Sequence, residues 1–249
     1  MQTLSPIPEP SLDARRNEPR AHDAGVRAMF SRIAPRYDLV NRILSGGLDQ
    51  RWRHRVVSEV AGAPRGPRLD VCAGTLDLAA MLAAVTPKER VVAVDLTPEM
   101  MERGRAKAPS VETIVGDACA LPFEDETFGA VTCGFGVRNV SAPDAFAREA
   151  LRVLVPGGVL VVLEAFRPER ALSAFMHRAY VGRVFPMLGA IASRDRAAYD
   201  YFVRSVGSFL TRREGEKLFS TTGFCDVRGY DVTLGMAGIV IGTKPARSR

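Results

Sequence analysis

The run Leu69-Asp70-Val71-Cys72-Ala73-Gly74-Thr75-Leu76-Asp77 passes from apolar residues into a turn that carries a glycine, a hydroxyl and two acids. A further acid, Asp95, closes the next apolar run, Val91 to Asp95, and Gly116-Asp117-Ala118 follows a third, Val111 to Val115. An acid about 20 residues beyond a tight strand-to-helix turn is placed to accept hydrogen bonds from ribose hydroxyls. Each such bond to a carboxylate contributes on the order of 1.5–3 kcal/mol. The loop after the third strand faces an adenine in such folds, where Asp117 can accept from the exocyclic amine. The three turns together predict a cradle for an adenosine-bearing cofactor, with Asp70, Gly74, Asp95 and Asp117 in it. The dinucleotide pattern G-x-G-x-x-G is absent, and Gly74 is the only glycine of the turn, so a pyrophosphate is poorly served. The competing reading is local: Asp95 caps the next helix, and Gly-Asp is an ordinary turn. Thr97-Pro98-Glu99 already supplies that helix start, which favours the cradle.

The elements that must hold these residues follow from apolar periodicity. Short apolar runs predict strands at Arg68 to Cys72, Val91 to Asp95, Val111 to Val115, Ala130 to Gly134 and Val159 to Glu164. Between them the pattern predicts helices near Leu78 to Ala84, Pro98 to Ala108 and Ala142 to Leu154, the last stopped by Pro156-Gly157-Gly158. Strands apolar on both faces and alternating with helices make a doubly wound, parallel α/β sheet. Ahead of it, helices are expected at Val26 to Ile33 and Leu48 to Val60. After it come a long apolar helical region, Ala171 to Ala192, a helix at Arg212 to Thr222, and an antiparallel pair, Cys225 to Val232 with Ala237 to Thr243. Residues 1–24, with Pro6, Pro8, Pro10 and Pro19 among charges, read as a mobile tail. Residues 25–244 read as one domain with an N-terminal helical cap and a helical lid near 170–222, and residues 245–249 as frayed.

Composition narrows the partners. At 249 residues the chain buries one sizeable core. Net charge is +6, but the arginines are scattered and aromatics make up only 7% of residues, with no basic-aromatic stretch for nucleic acid. Cys72, Cys119, Cys133 and Cys225 lie far apart without a C-x-x-C, which argues against a metal and for reduced thiols. No apolar run reaches the roughly 20 residues of a membrane span, and Met1 to Ala24 lacks a signal-peptide core, so a cytoplasmic protein is expected.

The three loops resemble those of class I methyltransferases that use S-adenosyl-L-methionine. Tyr37-Asp38-Leu39-Val40-Asn41 with Ser45-Gly46-Gly47 and Trp52 is similar to the N-terminal signature of the ubiquinone/menaquinone biosynthesis C-methyltransferase family. Phe135-Gly136-Val137-Arg138-Asn139-Val140, Pro156-Gly157-Gly158 with Glu164, and Gly235-Met236-Ala237-Gly238-Ile239-Val240 resemble its later blocks. The match runs from about Val26 to Lys244. It implies a Rossmann-like class I methyltransferase fold, a mostly parallel seven-stranded sheet with an antiparallel C-terminal strand. It also implies cofactor contacts at Thr75, Asp95, Asp117 and Ala118, and methylation of a ring carbon in a demethylmenaquinol-type substrate, with ubiquinone precursors served by some members. Leu76 stands where the family turn has glycine, Gly134 where serine is common, Asp49 where histidine is usual and Phe166 where serine is usual. A side chain at position 76 is expected to crowd the cofactor or to oppose a positive φ.

Carbon methylation joins a nucleophilic quinol ring to a sulfonium methyl, so charge disappears in the transition state and a dry pocket favours the step. Holding the partners in line supplies part of a proximity effect whose ceiling is about 7–11 kcal/mol. Arg138 and Asn139 are expected to stabilise the developing phenolate, a guanidinium being suited to an oxyanion but unable to act as a base. Tyr37 and Asp38 are expected to close the pocket; a surface ion pair is the plain alternative for Arg138. His54 is a weaker base candidate on a helix. Phe175 to Ile191 reads either as a cover and a wall for an isoprenoid tail or as ordinary core, with Arg178, Arg183 and Arg194 beside it. Peripheral contact with an anionic membrane and a homodimer stay open at this point. So do two other readings: a catalytically impaired scaffold of the same fold, suggested by Leu76, and a methyltransferase for another phenol or small lipid, suggested by Asp49 and Phe166.

Overall fold

Valine and alanine fill β2 (Val91–Asp95), a composition suited to a strand covered on both sides. Val92 and Val94 face one apolar layer, Val91 and Ala93 the other. The same alternation holds in β5 (Leu154–Glu164), where Leu160 and Val162 oppose Val161 and Leu163. The computed structural model, which describes residues 18–169, 174–175 and 196–247, joins these strands with β1 (Arg68–Val71), β3 (Glu112–Val115), β4 (Phe128–Gly134), β6 (Cys225–Val232) and β7 (Ala237–Thr243). They form one sheet in the order β3-β2-β1-β4-β5-β7-β6. The first five strands pair in parallel, and β7 runs antiparallel to both β5 and β6. Strand order reverses between β1 and β4, which opens a crevice beyond their C-terminal ends, where open α/β sheets take ligands.

Helices cover both faces. On one, α3 (Asp49–Glu59), α4 (Asp77–Val85) and α5 (Pro98–Gly104) bury Trp52, Val56, Leu78, Leu82 and Met101. On the other, α6 (Pro143–Val153) and α8 (Arg212–Thr222) bury Phe146, Ala150, Val153 and Phe219. Proline in the first turn starts α5 and α6. A Thr211–Glu214 capping box opens α8, and Gly223 at φ 114° closes it. Above the crevice sits a cap of α1 (Pro19–Ile33), α2 (Tyr37–Leu44) and α7 (Arg196–Ser208).

The bounds of β2, β6, β7 and α8 are those expected from the sequence. Helix α1 begins at Pro19 and not at Val26, so residues 18–24 belong to the cap rather than to a tail, while residues 1–17 lie outside the described residues. Helix α2 was not foreseen, and α7 falls within the helical lid expected near 170–222. Most of Ala171 to Ala192 also lies outside the described residues, and with it the cover expected over Phe175 to Ile191, although Phe175 itself is 60% exposed.

Leu76 sets the entry to α4 with φ 63° and ψ 17°, a left-handed backbone that disfavours any side chain by about 1–2 kcal/mol. Its side chain is fully buried in the layer formed by α3, α4 and α5 and does not line the crevice, so the expected crowding of the cofactor does not occur. Burial offsets the strain. Replacing Leu76 by alanine should cost about 3–5 kcal/mol through the cavity it leaves. Leu76→Gly should be about 1 kcal/mol more stable than Leu76→Ala, the reverse of the usual order, because glycine adopts this φ freely; urea denaturation of the two variants reads the difference.

Candidate active site

Three of the expected turns meet in the crevice. Gly74, Asp95, Asp117 and Ala118 line one cleft, together with Leu96, Met100, Gly134, Gly136 and Val140. The Asp95 carboxylate is clamped by backbone: Oδ2 accepts from Gly74 N and Oδ1 from Thr97 N, both at 2.8 Å. Burial raises its pKa and those two N–H bonds oppose the shift. Each oxygen keeps a second lone pair for a hydroxyl. Asp117 Oδ1 accepts from Cys119 N at 2.8 Å, which fixes the third turn. Gly136 must be glycine, since a Cβ there would meet Cys72 Cβ at 2.3 Å.

Asp70 and Thr75 are placed elsewhere. Asp70 is 1% exposed beneath the turn, with Oδ1 accepting from Thr132 Oγ1 at 2.8 Å and Oδ2 without a partner among the described residues. Thr75 gives its hydroxyl to Asp38 Oδ1 at 2.5 Å. Neither residue lines the cleft. Asp38 also accepts from Lys107 Nζ at 2.9 Å, and the same ammonium reaches Asp77 Oδ1 at 2.6 Å. Asp38 therefore pins α2 to the turn after β1. Two carboxylates and apolar walls form an acceptor set suited to an adenosine. The cap leaves about 80 Å³ open there, with α1 and Tyr37 along one wall.

A second cavity, of about 520 Å³, adjoins the cleft and shares Phe30, Tyr37, Phe135 and Asn139 with it. Helix α2 turns Tyr37, Val40, Asn41 and Leu44 toward it, one helical face at i, i+3, i+4 and i+7, and leaves Leu39 53% exposed on the other. Burial raises the Tyr37 pKa, against a hydrogen bond with Asn41 and the charges of Arg138 and Arg53, so its hydroxyl stays neutral. Arg53 lies on this wall with its guanidinium 5.8 Å from the Phe135 ring centre. It makes no hydrogen bond among the described residues; its anionic neighbours are Asp49 Oδ2 at 3.7 Å and Asp77 Oδ2 at 4.0 Å.

Arg138 is buried and is not a surface ion pair. Its Nη1 donates to Glu164 Oε1 at 2.6 Å and to Phe135 O at 2.8 Å, and its backbone N–H donates to Glu164 Oε2 at 3.2 Å. Burial disfavours its charge, but Glu164, itself fully buried, more than compensates and raises the pKa. The guanidinium also faces the Phe202 ring at 5.1 Å. Asn139 donates to Phe135 O at 3.2 Å, accepts from Tyr201 Oη at 3.3 Å through its side chain, and offers its carbonyl to His22 Nε2 at 3.1 Å. His54 is exposed and lines neither cavity. Glu164, His22, Tyr201, Asp49 and Arg53 were not singled out as site residues. Glu164, an acid ending an apolar strand, and Asp49, which stands where the family usually has histidine, carried a usable signal.

The strand order, with a nucleoside-type cleft beyond β1 to β3, defines the class I fold of S-adenosylmethionine-dependent methyltransferases. A methyltransferase of this class from Thermotoga maritima superposes with a TM-score of 0.62 at 20% identity, over 88% of this chain and 99% of the other. The ubiE/COQ5 methyltransferase family model matches residues 18–244, and the chain belongs to that family. It is 42% identical over 221 residues to a demethylmenaquinone methyltransferase of Thermus thermophilus, which covers 87% of this chain and 100% of that one. It is 39% identical over 226 residues to a ubiquinone/menaquinone biosynthesis C-methyltransferase of a Geobacter species, at 88% and 96% coverage. Among the described residues no helix is long and apolar enough to cross a membrane, and no cluster of three metal-ligating side chains occurs.

The two buried acids lead to separate expectations. Burial pushes the Asp70 pKa up to about 7, so the fold favours the protonated acid. That contribution is complete below the ordinary carboxylate range and is lost as pH rises through about 7. Asp70→Asn should flatten the fall in stability between about pH 4 and 7, with the higher urea midpoint at the alkaline end. Arg138→Met strands Glu164 and should cost about 3–5 kcal/mol in urea denaturation, whereas an exposed pair would cost about 1 kcal/mol or less. Adding Glu164→Leu should recover much of that loss.

Proposed function

We propose that this chain methylates a ring carbon of a demethylmenaquinol-type quinol with S-adenosylmethionine as methyl donor. The observation that carries the reading is the apolar cavity of about 520 Å³ sharing four walls with the cleft for an adenosine. When bound, S-adenosylmethionine supplies an electrophilic methyl group on a sulfonium. Asp95 would hold the ribose hydroxyls, Asp117 the adenine amine, and the backbone at Gly74 and Ala118 the turns around them. Met29, Phe30, Ile33, Trp52, Phe135 and Phe202 keep water from the ring, which speeds a step in which opposite charges cancel. Arg53 and Arg138 give the cavity a positive wall toward a developing phenolate, and Tyr37 and Asn139 orient the ring between the two sites.

A ubiquinone precursor is the second reading, favoured by the names of the relatives that serve both quinones. The inactive-scaffold reading drew on Leu76, whose side chain turns into the core, and it loses that support. An isoprenoid quinol resides in a membrane. Arg32 and Arg36 at the cavity, with exposed Leu39 and Arg42 on α2, suit peripheral contact with an anionic surface.

Purified protein, given S-adenosylmethionine and a short-chain demethylmenaquinol kept reduced, should yield the singly methylated naphthoquinol by mass spectrometry and none from the oxidised quinone. Turnover of an unrelated phenol with none of the quinol, or no calorimetric binding of S-adenosylmethionine at millimolar concentration, would overturn the reading. Asp95→Ala should weaken cofactor binding by about 2–4 kcal/mol, the charged hydrogen bonds lost less what water restores. Unchanged affinity would place the ribose elsewhere.

A further inference from the structure

Methylating a ring C–H with a sulfonium turns one cation into a neutral thioether and sets one proton free. The quinol cavity must therefore offer a group to take a proton while the ring reacts. Arg32, Arg36, Arg53 and Arg138 line it but are already cationic. Tyr37 is held neutral, and the Tyr201 hydroxyl donates to Asn139. Asp49 is the one carboxylate among the described lining residues.

Asp49 opens α3 and is 5% exposed. Its Oδ1 accepts from Ser45 Oγ at 2.9 Å, and its Oδ2 accepts from Gln50 Nε2 at 3.3 Å and lies 3.7 Å from Arg53 Nε. These partners donate and leave a lone pair on each oxygen. Arg53 carries the line onward. Its guanidinium faces Phe135, a wall of both cavities, and its Nη1 would lie 3.4 Å from a Cβ on Gly134, which lines the cofactor cleft. The Asp49–Arg53 pair thus runs from the quinol cavity to the boundary where ring and methyl group must meet.

We propose that Asp49 accepts the ring hydroxyl proton as the neighbouring carbon is methylated, with Arg53 donating to the oxygen; this rests on the quinol reading above. As the ring carbon gains the methyl, the C–S bond breaks with its electron pair left on sulfur and the ring oxygen becomes a carbonyl. The hydroxyl is then the conjugate acid of a ketone, which gives its proton readily to a carboxylate within hydrogen-bond reach. The dienone so formed carries hydrogen and methyl on one carbon. Aromaticity returns when that hydrogen leaves as a proton to a water admitted once the charge-cancelling step is over, its bonding pair entering the ring, and Asp49 hands its own proton back to the oxygen. One proton is released in all, matching the sulfonium charge lost.

The test uses the full chain as wild type, Asp49→Asn, which keeps the shape, and Asp49→Ala, which makes room for formate. Three quantities are read: kcat with a short-chain demethylmenaquinol, calorimetric affinity for S-adenosylhomocysteine, and quenching of Trp52 fluorescence by the oxidised naphthoquinone. Trp52 is the sole tryptophan and a wall of the same cavity. Both variants should lose about 10²-fold or more in kcat, the usual share of a general base, with quenching and S-adenosylhomocysteine affinity unchanged. Formate should restore turnover to Asp49→Ala and not to Asp49→Asn. Wild-type kcat in Asp49→Asn overturns the proposal, as does a loss shared by quenching and cofactor affinity with no formate rescue, which marks a packing role. An unaltered protein that turns over no quinol brings down the quinol reading and this proposal together.

Discussion

Glu164 ends the central strand β5 with its carboxylate fully buried, and a charge in that position must find a cation. Arg138 answers it with both its guanidinium and its backbone N–H. That contact draws the turn after β4 down onto the C-terminal end of the sheet, where Phe135 O collects donors from Arg138 and Asn139. Asn139 in turn receives His22 from α1 and Tyr201 from α7. Two cap helices far apart in sequence are therefore referred to one ion pair. Such a pair adds little over a well-packed apolar replacement, and its effect here is to fix one arrangement of the cap over the crevice.

The cap divides the crevice into compartments with different chemistry. In the smaller cleft, carboxylates are held by backbone N–H groups at strand ends, so their positions are set by the sheet. In the larger cavity the walls are helical and mostly apolar, and the charged groups are side chains of α1, of the turn before α2, of α3 and of the turn after β4. Phe30, Tyr37, Phe135 and Asn139 form the partition. On the function proposed above, recognition of a hydrophilic nucleoside and exclusion of water from an aromatic ring fall to different elements a side chain apart.

The sheet was legible because strands buried on both faces leave uninterrupted apolar runs, and Pro98, Pro143 and Gly223 punctuate the helices in the usual polarity. Asp95 and Asp117 were legible because a strand end fixes where its next residue lies. The cap was less so. Pro19 looked like part of a proline-rich tail, though proline is equally at home in a first helical turn. Helix α2 buries no residue fully and so shows little core pattern. Arg138 was singled out, but its anchoring by Glu164 is a meeting of two strand ends that no spacing reveals. Thr75 and Asp70 sat in the right turn yet face a helix and the sheet interior, because neighbouring positions on a turn point in different directions.

The clasp between Asp38, Thr75 and Lys107 differs from the other polar contacts of the cap in being half open to solvent, with side chains 47% exposed at Asp38 and 34% at Lys107. Charges so placed are screened over about 8–10 Å at ordinary ionic strength, whereas the Arg138–Glu164 pair is shielded from dissolved ions. Added salt therefore loosens the hinge of α2 on the cofactor turn and leaves the anchor of the cap untouched. Ionic strength thus acts on one fastening of the cap and not on the other.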